Sequence, residues 1–113
     1  MVAHDGSAYL PRTLSALAAQ TRPVDRAVGV DTGSGDDSLR LLREALGDGG
    51  VVSQPKGRGG MGAAVSAVLA DLVPFRETGD AGRTEWIWLL HDDAAPAPEA
   101  LVYSIMYDLI LYF

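Results

Sequence analysis

Short apolar runs alternating with helical patterns constrain the fold of this 113-residue chain more than any other feature. The runs at residues 2–4, 27–30, 51–52 and 86–90 are rich in branched or aromatic residues. Between them, leucine and other apolar residues recur every three or four positions, a spacing that predicts amphipathic helices. The order β-α-β-α-β-α-β-α is typical of an α/β protein whose mainly parallel sheet carries helices on both faces.

The predicted helices have recognisable ends. The first is predicted over residues 8–21, with Ser7 as its cap, and the second over residues 39–46, closed by Gly47. A third begins at Met61 and is predicted to end at Pro74, because proline interrupts helical hydrogen bonding. The remaining segments are a polar loop at residues 76–85, the clearest strand at 86–90 and a last helix opened by Pro96 or Pro98.

Charge and composition exclude several classes of protein. The net charge is −6 and the basic residues are scattered, so we expect no nucleic-acid partner. Cysteine is absent, which excludes disulfide frameworks, thiolate zinc sites and cysteine nucleophiles. With no signal-like segment and no apolar run of about 18 residues, we expect a cytoplasmic location, with the parent enzyme on the cytoplasmic side if it is membrane-associated.

The composition changes near residue 101. Residues 102–113, "VYSIMYDLILYF", hold three of the four tyrosines. We therefore expect residues 1–101 to form the folded unit. The apolar tail at 102–113 is expected to be a helix or a self-association element that supports a homo-oligomer.

Polar residues follow each predicted strand and, in a parallel sheet, lie at one edge, where α/β proteins bind ligands. These strand ends are His4-Asp5, Asp31-Thr32, Ser53-Gln54 and His91-Asp92-Asp93. Adjacent carboxylates at Asp92 and Asp93 suit Mg²⁺ or Mn²⁺, with the phosphates of a nucleoside diphosphate completing the coordination. The alternative is that both aspartates only solvate a strand end and cap the next helix.

The glycine cluster "GRGGMG" at residues 57–62 fits a dinucleotide fingerprint poorly, because Pro55 and Lys56 separate it from the strand. Its glycines and the following helix start can instead approach an anion, with Arg58 and Gly59 against phosphate. The alternative is a flexible connection. Asp31 is expected either to contact a base or ribose or to cap the second helix.

Four ordered segments resemble glycosyltransferase family 2, whose nucleotide-sugar-dependent enzymes share the Rossmann-like GT-A fold. They are "AHDGSAYLPRTLSALAAQT", "VGVDTGSGDDSLRLL", "GRGGMGAAVSAVLA" and "WIWLLHDDAAPAPEAL". The resemblance implies a truncated GT-A domain that binds a nucleoside diphosphate sugar and a divalent cation, for transfer of the sugar to an unidentified acceptor hydroxyl.

The resemblance also implies roles for individual residues. By this resemblance, the nucleobase would be bordered by Ala3, His4 and Asp5, and Asp31 would lie at the nucleoside. The cation would be bound by Asp93, with Asp92 beside it. His91 and Thr32 depart from the family pattern, since acids are usual at both positions. The catalytic base of the family has no counterpart in this sequence, so no catalytic residue is assigned and we expect the chain alone to be inactive.

Two other classes are alternatives. A sugar nucleotidyltransferase has similar topology but should carry a glycine-rich phosphate loop after its first strand. A receiver-like signalling domain should carry its acid pair after the first strand and an aspartate after the third. Neither pattern is present, since the acid pair follows the fourth predicted strand and the third ends in Ser53 and Gln54.

Overall fold

A computed structural model describes residues 1–77 and 86–106 of the chain, and side chains within residues 1–70 and 86–103. The parallel strands are β1 (Val2–Ala3), β2 (Gly29–Asp31) and β3 (Val51–Ser53). The helices are α1 (Leu10–Ala18), α2 (Ser38–Leu46), α3 (Gly60–Glu77) and α4 (Ala100–Met106), with one 3-10 turn at Asp48–Gly50. The predicted order of elements is confirmed through α3.

The sheet has β2 at its centre, with β1 on one side and β3 on the other. Val30 of β2 pairs with Val2 of β1 and with Val52 of β3. The chain then returns to the far side of β1, where His91 forms a parallel bridge with Val2. The connections from β1 to β2 and from β2 to β3 therefore run to one side of β1, and the connection after β3 returns to its other side. Open α/β sheets bind ligands at such a switch point in strand order.

Helices cover both faces of the sheet, as the sequence predicts. Because side chains alternate along a strand, Val2, Val30 and Val52 share one face, where they pack with Ala64 and other apolar residues of α3. Ala3 lies on the other face with Leu10 of α1 and Leu42 of α2. The result is a three-layer α/β arrangement, as expected of the Rossmann-like GT-A fold that the resemblance implies.

The prediction of a fourth strand at residues 86–90 is wrong. Residues 86–90 lie beside β1 and Leu90 O accepts a hydrogen bond from Val2 N at 3.0 Å, but the segment is not a regular strand. Trp86 is 43% exposed and Ile87 50% exposed. Among the described strands only β1 adjoins this segment, so within the described residues it lies at the edge of the sheet and not at its centre.

The first helix is shorter than predicted at both ends. Ser7 does not cap α1, because the helix begins at Leu10 with Tyr9 in the cap position and no side-chain capping bond. The backbone N–H of Ser7 donates to Asp36 Oδ2 at 2.9 Å and so ties Ser7 to the segment before α2. At the other end, the buried Gln20 amide donates to Ala97 O at 2.8 Å and accepts from Leu101 N at 3.1 Å. Gln20 thus holds the start of α4 against the end of α1.

The ends of the later helices also differ from the prediction. Helix α3 continues past Pro74 to Glu77, so the predicted end at Pro74 is wrong, although the proline leaves the helix without one backbone N–H donor. Helix α4 begins at Ala100, two residues after Pro98, and crosses the predicted boundary at residue 101. The loop predicted at 76–85 is wrong for residues 76 and 77, which belong to α3, and its residues 78–85 lie outside the described residues. Tail residues 107–113 also lie outside them, and no finding supports self-association through the tail. No helix within 1–77 and 86–106 is long and apolar enough to span a membrane.

Candidate functional site

The ends of β1 and β2 are joined by hydrogen bonds at the carboxyl edge of the sheet. Ala3 O accepts from Thr32 N at 3.1 Å and from Thr32 Oγ1 at 3.1 Å. Thr32 Oγ1 also lies 3.0 Å from His4 Nδ1. Hydroxyl and imidazole groups both donate and accept hydrogen bonds, so Thr32 and His4 present an adaptable polar pair at this edge.

The loop after β1 is held by side chains of the segment that leads into α2. Asp5 adopts a positive φ of 48°, which aspartate tolerates better than most residues. Its backbone N–H donates to Ser34 Oγ at 3.0 Å, and its Oδ1 accepts from Gly35 N at 2.7 Å. Gly6 N donates to the buried Ser38 Oγ at 2.9 Å. The segment that leads into α2 therefore fixes the loop after β1.

Asp36 belongs to the same network, although its side chain is exposed. Its Oδ1 accepts from Ser38 N at 2.9 Å and its Oδ2 from Ser7 N at 2.9 Å. Hydrogen bonds from Ser38, and then from Ser7, hold the pKa of the Asp36 carboxyl well below its usual range. The charged carboxylate is therefore the form that ties the two loops together.

Asp31 is buried at the end of β2, with only 2% of its surface exposed. Its Oδ2 accepts from Gly33 N at 3.1 Å and from Ser34 N at 3.2 Å, which fixes the turn that follows the strand. Its Oδ1 has no hydrogen-bond partner among the described residues. Asp31 therefore supports the turn carrying Thr32, and Thr32 rather than Asp31 lines the cleft.

The acidic segment after residue 90 is attached to β1 through Asp92. Asp92 Oδ2 accepts from His4 N at 2.9 Å, and Asp92 O accepts from the buried Thr13 hydroxyl of α1 at 2.7 Å. Gly6 lies so close that a Cβ atom there would be 2.3 Å from Asp92 Oδ2. These contacts join the acidic segment, β1 and α1 in one corner of the fold.

A cleft of about 550 Å³ opens at this corner, between the β1 and β2 ends and the start of α3. Arg58 and Gly59 line one side of it, and His91 and Asp92 another. Helix α3 has no acidic residue in its first turn, and free N–H groups at a helix start favour an anion. The cleft thus combines polar groups, an anion-favouring helix start and carboxylates.

The predicted site residues occupy different positions around this cleft. His4, Arg58, Gly59 and Asp92 line it. Asp93 is exposed and lies next to it, since its Oδ1 is 4.0 Å from the cleft-lining His91 Nδ1. Ala3 is buried in the strand, and Asp5 is engaged in the loop network. The predicted convergence of strand ends is confirmed, because His4 contacts both the β2 end and Asp92.

His91, Asp92 and Asp93 can each offer a ligand atom to one ion, and these atoms all lie within 4.8 Å of one another. Two carboxylates and an imidazole are a suitable donor set for a divalent first-row cation. Asp92 is buried, whereas the other two side chains are exposed. The residues present therefore fit the cation that the sequence predicts, although they do not specify which ion it is.

The fold and the cleft define an α/β domain with an anion-favouring helix start and a candidate cation group at its switch point. The model of the family "Glycosyl transferase family 2" matches residues 1–106. The chain therefore belongs to glycosyl transferase family 2, whose members transfer sugars from activated donors to acceptors and generally use divalent cations. No curated protein and no solved structure matches the chain.

Some residues of this corner could not be assigned from the sequence. Thr13 precedes its partner Asp92 by 79 positions, and nothing in the local pattern marks it. Gly6 is part of the resemblance segment, but its close approach to Asp92 appears only in three dimensions. Thr32 was predicted as part of the polar end of the second strand, but nothing in the sequence indicated that Thr32 and not Asp31 lines the cleft.

Proposed function

We propose that the chain binds a nucleoside diphosphate sugar together with a divalent cation, as the donor site of a glycosyltransferase. The single observation that carries this proposal is that His4, Arg58 and Asp92 line one cleft. They come from the β1 end, the α3 start and the acidic segment, and they provide the three kinds of group that a nucleoside, a phosphate and a cation require.

The nucleoside subsite is proposed at the ends of β1 and β2. His4 and Thr32 supply hydrogen-bonding groups there, suited to the polar edge of a base or to a ribose hydroxyl. Ala3 and Asp5 border the subsite through the backbone that positions His4. Asp31 supports it from within the fold, because its carboxylate fixes the turn after Thr32.

The diphosphate is proposed between the α3 start and the cation group. Arg58 carries positive charge, and the positive φ of 62° at Gly59 lets the backbone turn into α3 without a side chain in the way. When bound at Asp93 and Asp92, a divalent cation would neutralise charge on the departing diphosphate. These residues hold and orient the donor, and no residue of the described chain is assigned as the base that activates an acceptor.

Calorimetric titration with UDP, GDP and dTDP sugars, with and without Mn²⁺, tests the proposal. At least one donor should bind, and binding should weaken by at least about tenfold in Asp93→Asn, because the variant loses a charged ligand of the cation. Asp25→Asn is the matched control, because it removes the same charge from an exposed residue outside the cleft. Cation-independent binding that Asp93→Asn leaves unchanged would contradict the proposal.

The inactivity of the isolated chain stays a prediction. Incubation with a labelled donor and a panel of hydroxyl acceptors should give no labelled product. Transfer of the sugar to any acceptor would show that the chain carries a base not identified in its sequence.

A further inference from the structure

The three residues of the candidate cation site, His91, Asp92 and Asp93, differ in exposure, and this difference indicates different roles. The side chains of His91 and Asp93 are 61% and 66% exposed, whereas that of Asp92 between them is 13% exposed. The alternation places positions 91 and 93 towards solvent and position 92 towards the fold. A ligand arriving from solvent therefore meets an imidazole and a carboxylate first.

Asp92 is already held by the fold. Its Oδ2 accepts from His4 N, its backbone carbonyl accepts from Thr13, and Gly6 packs against its side chain. Its remaining oxygen, Oδ1, lies 3.6 Å from His91 Nδ1. Asp92 thus offers one prepositioned oxygen, and the rest of the donor set has to come from the flanking residues.

His91 Nδ1 is placed to share an ion with both carboxylates. It lies 3.6 Å from Asp92 Oδ1 and 4.0 Å from Asp93 Oδ1. A cation held about 2.1 to 2.2 Å from each donor keeps its donors within about 4.4 Å of one another. Both separations from His91 are inside that limit, and the donor atoms of all three residues lie within 4.8 Å of one another. His91 also stands at a position where the resemblance leads one to expect a carboxylate, so the site exchanges an oxygen donor for a nitrogen donor.

We propose that His91 is a ligand of the cation and that its imidazole makes the site select Mn²⁺ over Mg²⁺. The proposal rests on the proposed function, since it concerns the cation of that donor site. Mg²⁺ prefers oxygen ligands in near-ideal octahedral geometry and retains its waters, whereas imidazole nitrogen binds first-row transition ions more readily. An Asp-Asp-Asp site would discriminate less, so residue 91 sets the choice of ion.

Pulsed electron paramagnetic resonance of Mn²⁺ added to the chain tests the proposal without any activity measurement. A directly bound imidazole gives a ¹⁴N hyperfine coupling to Mn²⁺, which should be present in the wild type and absent in His91→Asp. The chain has two histidines, so His4→Asn completes the assignment and should retain the coupling. The exposed side chain of His91 allows its replacement without disturbing the core.

Competition between the two ions supplies the second readout. The ratio of Mn²⁺ to Mg²⁺ affinity, from titration of each ion alone, should fall by about tenfold or more in His91→Asp. Asp25→Asn, which changes charge outside the cleft, should retain the wild-type ratio.

The outcomes separate the two proposals. Mn²⁺ that binds without ¹⁴N coupling and is lost in Asp93→Asn would overturn the role of His91 and leave the proposed donor site standing. Coupling that persists in His91→Asp but disappears in His4→Asn would also overturn it. Mn²⁺ binding that neither Asp93→Asn nor His91→Asp reduces would overturn both proposals.

Discussion

The two polar walls of the cleft are built differently. The strand-end wall, residues 3–6 and 31–38, is held by its own side chains. Backbone N–H groups of this wall donate to the carboxylates of Asp5, Asp31 and Asp36 and to the hydroxyls of Ser34 and Ser38. The cation loop, residues 91–93, is held mainly through Asp92, while His91 and Asp93 project towards solvent. Acidic residues near one cleft therefore have two purposes, maintaining the fold in the first wall and receiving a ligand in the second.

The largest expected contrast is between Asp31 and Asp93. Asp31→Ala should lower the free energy of unfolding by about 3 kcal/mol, because Gly33 N and Ser34 N lose a charged acceptor in a buried place. Asp93→Ala should change it by less than about 0.5 kcal/mol, because the side chain is exposed. Urea unfolding of both variants measures the difference.

Asp31→Asn serves as the control, since it keeps an acceptor oxygen and should cost less than Asp31→Ala. Equal stability of Asp31→Ala and the wild type would contradict the claim that the strand-end wall, unlike the cation loop, uses its acidic residues to maintain the fold.

A second contrast tests how closely the strand-end wall meets the loop before α3. A Cβ at Gly33 would lie 2.5 Å from Lys56 N, and Gly33 has a φ of +77°. Gly33→Ala should therefore cost about 2 kcal/mol, from backbone strain and from displacement of Lys56.

Gly57→Ala is the matched control, because Gly57 has a φ of +86° but no atom within 4 Å of the added Cβ. It should cost about 1 kcal/mol from backbone strain alone. Thermal unfolding of the two variants checks the order, and equal losses would show that the contact with Lys56 adds nothing.

The sequence predicted the strands and helices best where their signals are local. Three strands and the leucine-bearing helices follow from hydrophobic spacing, and Gly47 ends α2 as expected. The ends of α1 were wrong, and the local pattern does not show that Ser7 and Gln20 bind partners 29 and 77 residues away. Trp86 and Ile87 were misplaced because composition indicates an apolar strand but not the neighbours that would cover it.

The sequence predicted which strand ends form the site, but it did not predict which residues maintain the fold and which face a ligand. Parallel topology brings His4, Thr32 and Asp92 together, and this follows from the order of elements alone. The burial of Asp31 depends on its register in the central strand, whereas the exposure of Asp93 depends on how the fold holds the neighbouring Asp92. Two aspartates with similar sequence contexts at strand ends can therefore serve opposite purposes.

The attachment of the cation loop to α1 gives a smaller contrast. Thr13→Val should lower stability by about 1 kcal/mol, because Asp92 O loses its buried hydroxyl donor at 2.7 Å. Thr21→Val is the control, since its exposed hydroxyl lies 3.2 Å from Pro98 O and should contribute less. If urea unfolding finds equal losses, the buried bond does not anchor the loop.

The smallest expected effect concerns pH. The folded-state pKa of Asp36 lies below its usual value of 3.8, so its bonds to Ser7 and Ser38 stabilise the protein fully above about pH 4. That contribution is lost as the pH falls below this value, because protonation removes the favoured carboxylate. Asp36→Asn should therefore flatten the stability profile between about pH 4 and 2.5. An unchanged slope in unfolding midpoints would contradict the role of Asp36 in the strand-end wall.

Paramagnetic broadening of amide signals by Mn²⁺, with UDP then added, tests most directly whether the two walls form one donor site. Broadening should centre on residues 91–93 and reach His4, Thr32 and Arg58, and UDP should tighten Mn²⁺ binding and shift the signals of His4 and Thr32. Asp93→Asn should weaken all of these changes. Broadening centred instead on the acidic residues around α2, Asp36, Asp37 and Glu44, with no response at His4 or Thr32, would contradict a shared cation and nucleoside site.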